Sequence, residues 1–234
     1  MARRLFELVA ADPARRFSPY CWRARMALAH KGLEAECVPW RFTETARLAF
    51  ANHDKVPVLV DGETVIPESW GIATYLERAY PEHPSLFGAA TPAIRFITAW
   101  ADQILNPALV RLIVRDVWAC LDPAAQTYFR TSREARLGAT LEQIAAGQQE
   151  RLPEFRRLLA PLRTALTAAP FLGGATADYA DYAVFGAFQW ARVVSPLALL
   201  GADDPVHDWR ERLLDRFDGL ARRTPACTEG AASP

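Results

Sequence analysis

Residues Lys55–Pro81, KVPVLVDGETVIPESWGIATYLERAYP, pack three structural signals into one short stretch. Val58–Val60 and Thr64–Ile66 are runs rich in β-branched residues, and Asp61-Gly62 between them is a strong hairpin signal. Ser69 follows as a favoured helix cap, and Trp70–Tyr80 carries a helical pattern. The stretch therefore reads as strand, turn, strand, helix.

Working back from it, Leu5–Val9 reads as a strand, and Ser18-Pro19 as the start of a helix, since serine caps well and proline suits the first helical position. Trp22, Met26, Ala29 and Leu33 share one face, and Lys31-Gly32 marks the end. AECVPW is a second strand, placed at an edge by Pro39. Residues 43–52 are short and helical or irregular. The order β-α-β-(α)-β-β-α predicts a parallel βαβ half joined to an antiparallel hairpin, with helices packed on the sheet.

Working forward, YPEHPSLFGAATP is a proline-rich linker, and strand signals vanish after it. Helices are expected over 93–119, 123–147, 151–168, 178–200 and 206–223, the fourth opened by Asp178 with Asp181 as an acidic capping box. The fold class is thus a small α/β domain (1–81), a linker (82–92), an all-helical domain (93–223) and a fraying tail (224–234).

Bulk composition narrows the function. Of 234 residues 51% are hydrophobic, enough for a sizeable core, and Lys+Arg and Asp+Glu are both 27, so no basic excess points to nucleic acid. No run is long and apolar enough to span a membrane, and MARRLFELVAADP is not a secretory signal. Cys21, Cys37, Cys120 and Cys227 form neither a C-x-x-C pair nor a metal-ligand spacing, a pattern that fits a reducing cytoplasm and no bound metal. Only Lys31 and Lys55 are lysines among the basic residues.

Three places in the first domain can carry chemistry. Ser18 is a helix cap whose hydroxyl can also donate to an anion at the helix N-terminus. Cys21, one turn on, is either a small buried residue or a thiol activated by the same helix end, which would make SPYC an echo of a redox C-x-x-C. Val56-Pro57 is an ordinary strand start or a cis bond; sequence does not choose. Glu68-Ser69 is a helix cap or a clamp for an ammonium and a carboxylate.

Taken together, SPYCWRAR, KVPVLVDG and PESWGIATYLERAYP at these separations, followed by a helical domain, resemble the glutathione transferase superfamily, whose first domain is thioredoxin-like. The resemblance implies that Ser18 stabilises the glutathione thiolate and that Val56, ahead of a cis Pro57, pairs with its cysteinyl backbone. It implies that Glu68 and Ser69 grip the γ-glutamyl end, and that Lys55, with Arg41 as a weaker candidate, meets the glycyl carboxylate. Across nearly the whole chain, SPYCWRARMALAHKGL, LEQIAAGQQERLPEFRRLLAPLR, the FLGG and ADYADYAVFGAFQWA segments and DDPVHDWRERLLDRFDGLAR are similar to bacterial β-aryl etherase-type transferases of lignin breakdown and their fungal relatives. The loop DPARR and the early end of the chain depart from that pattern.

On this reading the partners are glutathione and a hydrophobic aromatic electrophile, the protein is a homodimer, and the acceptor pocket lies between the domains. ITAWADQILNPALVRLIVRDVWA forms its wall, with Tyr20, Trp100, Arg115 and Trp118 as candidate lining. Two alternatives stand beside it: a thiol–disulfide or dehydroascorbate reductase working through Cys21, and a glutathione-binding protein without turnover.

Overall fold

The computed structural model describes residues 3–227. Its first domain runs β1 (Arg4–Leu8), α1 (Pro19–His30), β2 (Glu36–Trp40), β3 (Val58–Asp61), β4 (Thr64–Pro67) and α2 (Ser69–Ala79), with a 3₁₀ segment at Thr45–Ala51 between β2 and β3. The sheet order is β2-β1-β3-β4, with β1 parallel to β2 and antiparallel pairing from β1 through β3 to β4. This is the architecture expected from the strand and turn signals. Asp61-Gly62 makes the β3–β4 turn, where Gly62 takes φ +61 and spares a side chain the left-handed penalty.

The second domain is helical: α3 (Thr91–Trp100), α4 (Asn106–Ala119), α5 (Pro123–Leu137), α6 (Leu141–Ala146), α7 (Gln148–Leu158), α8 (Ala160–Ala168), α9 (Tyr179–Val194) and α10 (Pro205–Gly219). Several expected helices are broken, each for a local reason. The segment 93–119 is interrupted by a π-helical turn at Ala101–Leu105. Pro107 has no N–H for the usual backbone bond and its ring crowds the carbonyl four residues back. The helix widens instead, and Asn106 N–H donates to Ala101 O, five residues back. The segment 123–147 breaks at Gly138, in left-handed conformation at φ +72. The helix expected over 206–223 loses helical geometry after Asp215, since Phe217, Asp218 and Gly219 all have positive φ. The tail is anchored at its start: Cys227 N–H donates to Arg192 O at 2.9 Å, and Arg192 donates to Thr224 O at 3.0 Å. Residues 228–234 of the expected tail lie outside the described residues.

The Asp178 capping box forms as the sequence suggests, but Asp181 does more than complete it. Buried, it accepts from the N–H groups of Leu172, Gly173 and Asp178 and from Trp209 Nε1, at 2.8–3.1 Å. It thus ties the approach to α9, the α9 start and α10 together.

The two domains share one continuous apolar cluster, with α1 packed lengthwise on α9. At their crossing Gly186 is irreplaceable by geometry, because a Cβ there would stand 2.3 Å from the Pro19 carbonyl oxygen. Arg23, 1% exposed, crosses the same interface, donating to Ala183 O at 3.0 Å and pairing with Asp102 at 2.8 Å. From the α2 side, Tyr179 donates its hydroxyl to Ser69 O at 2.9 Å. The linker is packed rather than loose. Leu86 is buried, its carbonyl accepts from Tyr179 N–H at 3.0 Å, and Glu77 holds both the Leu86 N–H and Lys31 at 2.9 Å.

Gly186→Ala is expected to force α1 and α9 apart, at a cost of about 1–3 kcal/mol for overpacking. Urea unfolding read by tryptophan fluorescence will show it as a lower midpoint. The far-UV spectrum should keep its helical shape, because the change acts on docking and not on helix formation.

Candidate functional site

The sheet's pairing decides where the three chemical stretches meet. Phe6 pairs with Val58, and Val58 with Pro67. The exit of β1, the entrance of β3 and the exit of β4 therefore lie at one end of the sheet. The N-termini of α1 and α2 open there too. Ser18, Val56-Pro57 and Glu68-Ser69, up to 51 positions apart in the chain, become neighbours through hydrogen-bonding register alone.

Ser18 caps α1: its Oγ accepts from Cys21 N–H at 3.3 Å, and its side chain is 4% exposed at the edge of a cavity. Accepting that bond leaves the hydroxyl proton free to donate elsewhere. The loop ahead of it, the DPARR segment, is closed by Ala10 N–H to Arg15 O at 3.0 Å and fastened beneath by buried Glu7, whose carboxylate lies 3.3 Å from both Arg16 and Arg25.

The Val56-Pro57 peptide is cis. Glu68 N–H donates to Pro57 O at 3.0 Å, joining the second stretch to the third. Glu68, not Ser69, occupies the cap position of α2. Its φ is +64, and no side chain caps the helix. The expected Ser69 cap is therefore displaced by one residue, and the first N–H groups of α2 carry no side-chain partner. A non-glycine residue in such a conformation stores about 1–3 kcal/mol of strain, of a kind concentrated at binding sites. Glu68 is exposed, while Ser69 is buried.

Cys21 is 1% exposed and outside the cavity lining; burial, reinforced by the negative charge of Glu7, pushes its thiol up to about 12. Desolvation outweighs the helix end, so the activated-thiol alternative finds no support in this geometry.

The cavity measures about 700 Å³ and lies between the β1 and β3 ends and the helical domain. Ser18, Tyr20, Lys55 and Val56 line it, against an aromatic wall that includes Trp40, Phe42, Tyr128 and Phe129. Lys55 is exposed, with its Nζ 4.0 Å from Asp54. Arg41 does not line the cavity. Its guanidinium sits 3.4 Å from Asp122, the cap of α5, and fastens the end of β2 to the helical domain. Glu68 and Ser69 border the other side of cis-Pro57, outside the cavity lining.

Among the candidates on the helical wall, Trp100, Arg115 and Trp118 do not line this cavity. Trp100 packs against the core, Arg115 is exposed, and Trp118 carries the Arg130 guanidinium 4.8 Å above its ring. The residues of this segment that do are Asp102, Asn106, Pro107, Val110, Arg111 and Val117. Reading by sequence also missed Asn106, whose buried amide atoms find no partner among the described residues, and Arg133. Asn-Pro at 106–107 was a usable signal for the first. For the second there was none in the local pattern.

Two family models match the chain: "Glutathione S-transferase, N-terminal domain" over residues 14–84, and "Glutathione S-transferase, C-terminal domain" over residues 94–217. The chain belongs to the glutathione S-transferase family. Among curated relatives, a zeta-class glutathione S-transferase of Euphorbia esula is 44% identical over 70 residues, 28% of this chain and 31% of its own length. Glutathione S-transferase U13 of Arabidopsis thaliana is 34% identical over 92 residues, 37% of this chain and 40% of its own. These matches span well under half of those relatives. Among solved structures, the transferase GSTFuA3 of Phanerochaete chrysosporium is 26% identical with a TM-score of 0.76, covering 96% of this chain and 95% of its own. A glutathione S-transferase of Ceriporiopsis subvermispora, in complex with glutathione, shares the fold at TM-score 0.80 and 20% identity, covering 98% and 100%. Among the described residues, no helix of this family member is long and apolar enough to cross a membrane, and no group of three or more His, Cys, Asp or Glu side chains could hold a metal ion.

Alkylation with iodoacetamide at neutral pH should leave Cys21 unmodified in the folded protein and modify it once the chain is denatured, as read by peptide mass spectrometry. Rapid labelling of native Cys21 would contradict the burial described above.

Proposed function

We propose that this chain is a glutathione transferase that uses Ser18 to hold the thiolate of bound glutathione for attack on a hydrophobic aromatic electrophile. The observation that carries the reading is the position of the Ser18 hydroxyl. It sits at a helix N-terminus, at the sheet end shared with cis Val56-Pro57 and the Glu68 turn, and opens on an aromatic-lined cavity of about 700 Å³.

In this scheme the Val56 backbone pairs with the cysteinyl part of glutathione. The Glu68 carboxylate takes the γ-glutamyl ammonium, and Ser69 with the open N-terminus of α2 takes its carboxylate. Lys55 meets the glycyl end. Arg41 would have to leave Asp122 to join it, which makes it the weaker partner. The magnitudes are sufficient. A free thiol with a pKa of about 8.5 is only about 3% ionised at pH 7, and lowering it by about two units needs about 2.7 kcal/mol. A hydroxyl hydrogen bond to the anion supplies about 1.5–3 kcal/mol and the helix end about 0.3–1. The thiolate then attacks carbon, a C–S bond forms, and the leaving group departs with its electron pair. For a β-aryl ether, the narrower proposal suggested by the sequence resemblance, the carbon attacked bears the aryloxy group beside a ketone and a phenolate leaves. The family's design further leads us to propose a homodimer, which sedimentation velocity will distinguish from a monomer.

Ser18→Ala should lower kcat/KM for thioether formation by about 10–100-fold. The thiolate absorbance of bound glutathione and the rising limb of the pH profile should both move to higher pH, because the mutant no longer favours the anion. Loss of the cap alone costs about 1 kcal/mol of stability, which unfolding measurements separate from the kinetic effect. Unchanged turnover would remove Ser18 from the role. Retention on immobilised glutathione without turnover of any electrophile would indicate a binding protein.

A further inference from the structure

The cavity wall contributed by the helical domain is unevenly charged. Arg111, Arg133 and Arg136 line it, and none of the three forms an ion pair among the described residues. The nearby carboxylates are already taken: Glu134 and Glu142 both bind Arg130, each at 2.8 Å. The acidic groups in the lining are engaged as well, Asp102 with Arg23 at 2.8 Å and Asp54 with Lys55 at 4.0 Å.

Arg133 differs from its two exposed neighbours. It is half-buried, its guanidinium lies 4.6 Å from the Phe129 ring centre and 5.3 Å from that of Phe42, and among the described residues its side chain donates one hydrogen bond, to Ser132 Oγ at 2.9 Å. Burial and the adjacent Arg136 charge both disfavour its ionised form and push its pKa down. A desolvated cation without a counter-charge is a cost that an incoming anion relieves. The guanidinium is already oriented by the two rings, so little freedom is lost when a carboxylate docks on its donor edge. Beside it, Phe42 and Tyr128 are stacked with centroids 6.0 Å apart, giving the apolar body of a ligand aromatic surface next to the charge.

We propose that the acceptor taken by this cavity is an aromatic acid, its carboxylate held by Arg133 and its ring by Phe42, Tyr128 and Phe129. The acceptor's chemical role rests on the transferase reading above, whereas the preference for an anion rests on the cavity alone. Arg133 is thereby a specificity-determining residue on the electrophile side. A scattered surface charge would be exposed and solvated, but this one is half-buried against two phenyl rings. A nucleic-acid phosphate would call for an open basic face, but these arginines border a concave, aromatic-walled space.

The test uses a matched pair of electrophiles, 4-chloro-3,5-dinitrobenzoate and its methyl ester. In each, thiolate attack forms the C–S bond, expels chloride with the bonding pair and sends the glutathione thiol proton to solvent. With rates divided by the uncatalysed ones, the wild-type chain should favour the acid over the ester by about tenfold or more in kcat/KM. Arg133→Gln should bring that ratio to within about twofold of unity, and Arg133→Lys should keep part of the preference, since a charge remains without the planar fork. An acid-to-ester ratio equal in wild type and Arg133→Gln overturns the proposal. So does a loss confined to the KM of glutathione, which would assign the guanidinium to the glycyl carboxylate. Equilibrium binding of 4-nitrobenzoate and methyl 4-nitrobenzoate, followed by tryptophan quenching, separates the two layers of argument. If neither electrophile is turned over but the benzoate binds about tenfold tighter in an Arg133-dependent way, the transferase reading fails and the anion site stands. Equal binding of acid and ester, or a preference that survives Arg133→Gln, sinks the anion site itself.

Discussion

Everything at the site depends on how closely α1 can approach α9. Pro19 begins α1, and its carbonyl lies where a Cβ on residue 186 would be, so only glycine lets the two helices meet at this distance. The contact fixes the helix end that bears Ser18. Arg23, one turn further along, then locks the crossing with a hydrogen bond to Ala183 O and an ion pair to Asp102. Arg23 is buried while Asp102 reaches the cavity edge, so the carboxylate supplies the counter-charge that the desolvated guanidinium needs at this crossing. Asp102 in turn belongs to the π turn that Pro107 imposes on the helical wall. One chain of contacts therefore links a proline in the second domain to the position of the hydroxyl in the first.

The sheet supplies the other half of the arrangement. Its mixed pairing places three strand exits (β1, β2 and β4) and one strand entrance (β3) at the same end, a feature of topology and not of any local motif. Glu68 shows how tightly the junctions are joined. Its N–H is held by Pro57 O, and its positive φ turns the chain directly into α2. The strain of that turn is borne by neighbours that hold it on both sides, with the β3–β4 ladder before it and the Tyr179 bond to Ser69 O after it.

The contrast between Ser18 and Cys21 illustrates how burial decides chemistry. Both sit in the first turn of α1, within reach of the same partial positive charge. Ser18 faces the cavity, where its hydroxyl can serve an outside partner. Cys21 faces Leu8 and Glu7 in the core, where desolvation and a nearby carboxylate keep its proton on. A helix dipole worth about 0.3–1 kcal/mol does not overcome that environment. The sequence echo of a redox dithiol thus leads to a different role for each of its two positions.

The succession of strands and helices along the first domain, the hairpin at Asp61-Gly62, the caps at Ser18 and Asp178 and the change to an all-helical second half were legible from sequence, because each rests on local backbone preferences or on hydrophobic period. The grouping of Ser18, Val56 and Glu68 was legible only through resemblance, since register brings them together across 50 positions. The wall of the cavity was not legible. Trp100, Arg115 and Trp118 were reasonable choices by residue type, yet the segment presents Asp102, Asn106, Val110, Arg111 and Val117 instead. Arg133 looked like any surface arginine on a polar helix. Only the fold shows that Arg130 takes the nearby carboxylates and that Phe42, from the other domain, lies under the guanidinium. Local preferences act over a few residues and can be read along the chain, whereas burial and charge pairing are properties of neighbours that only tertiary packing assigns.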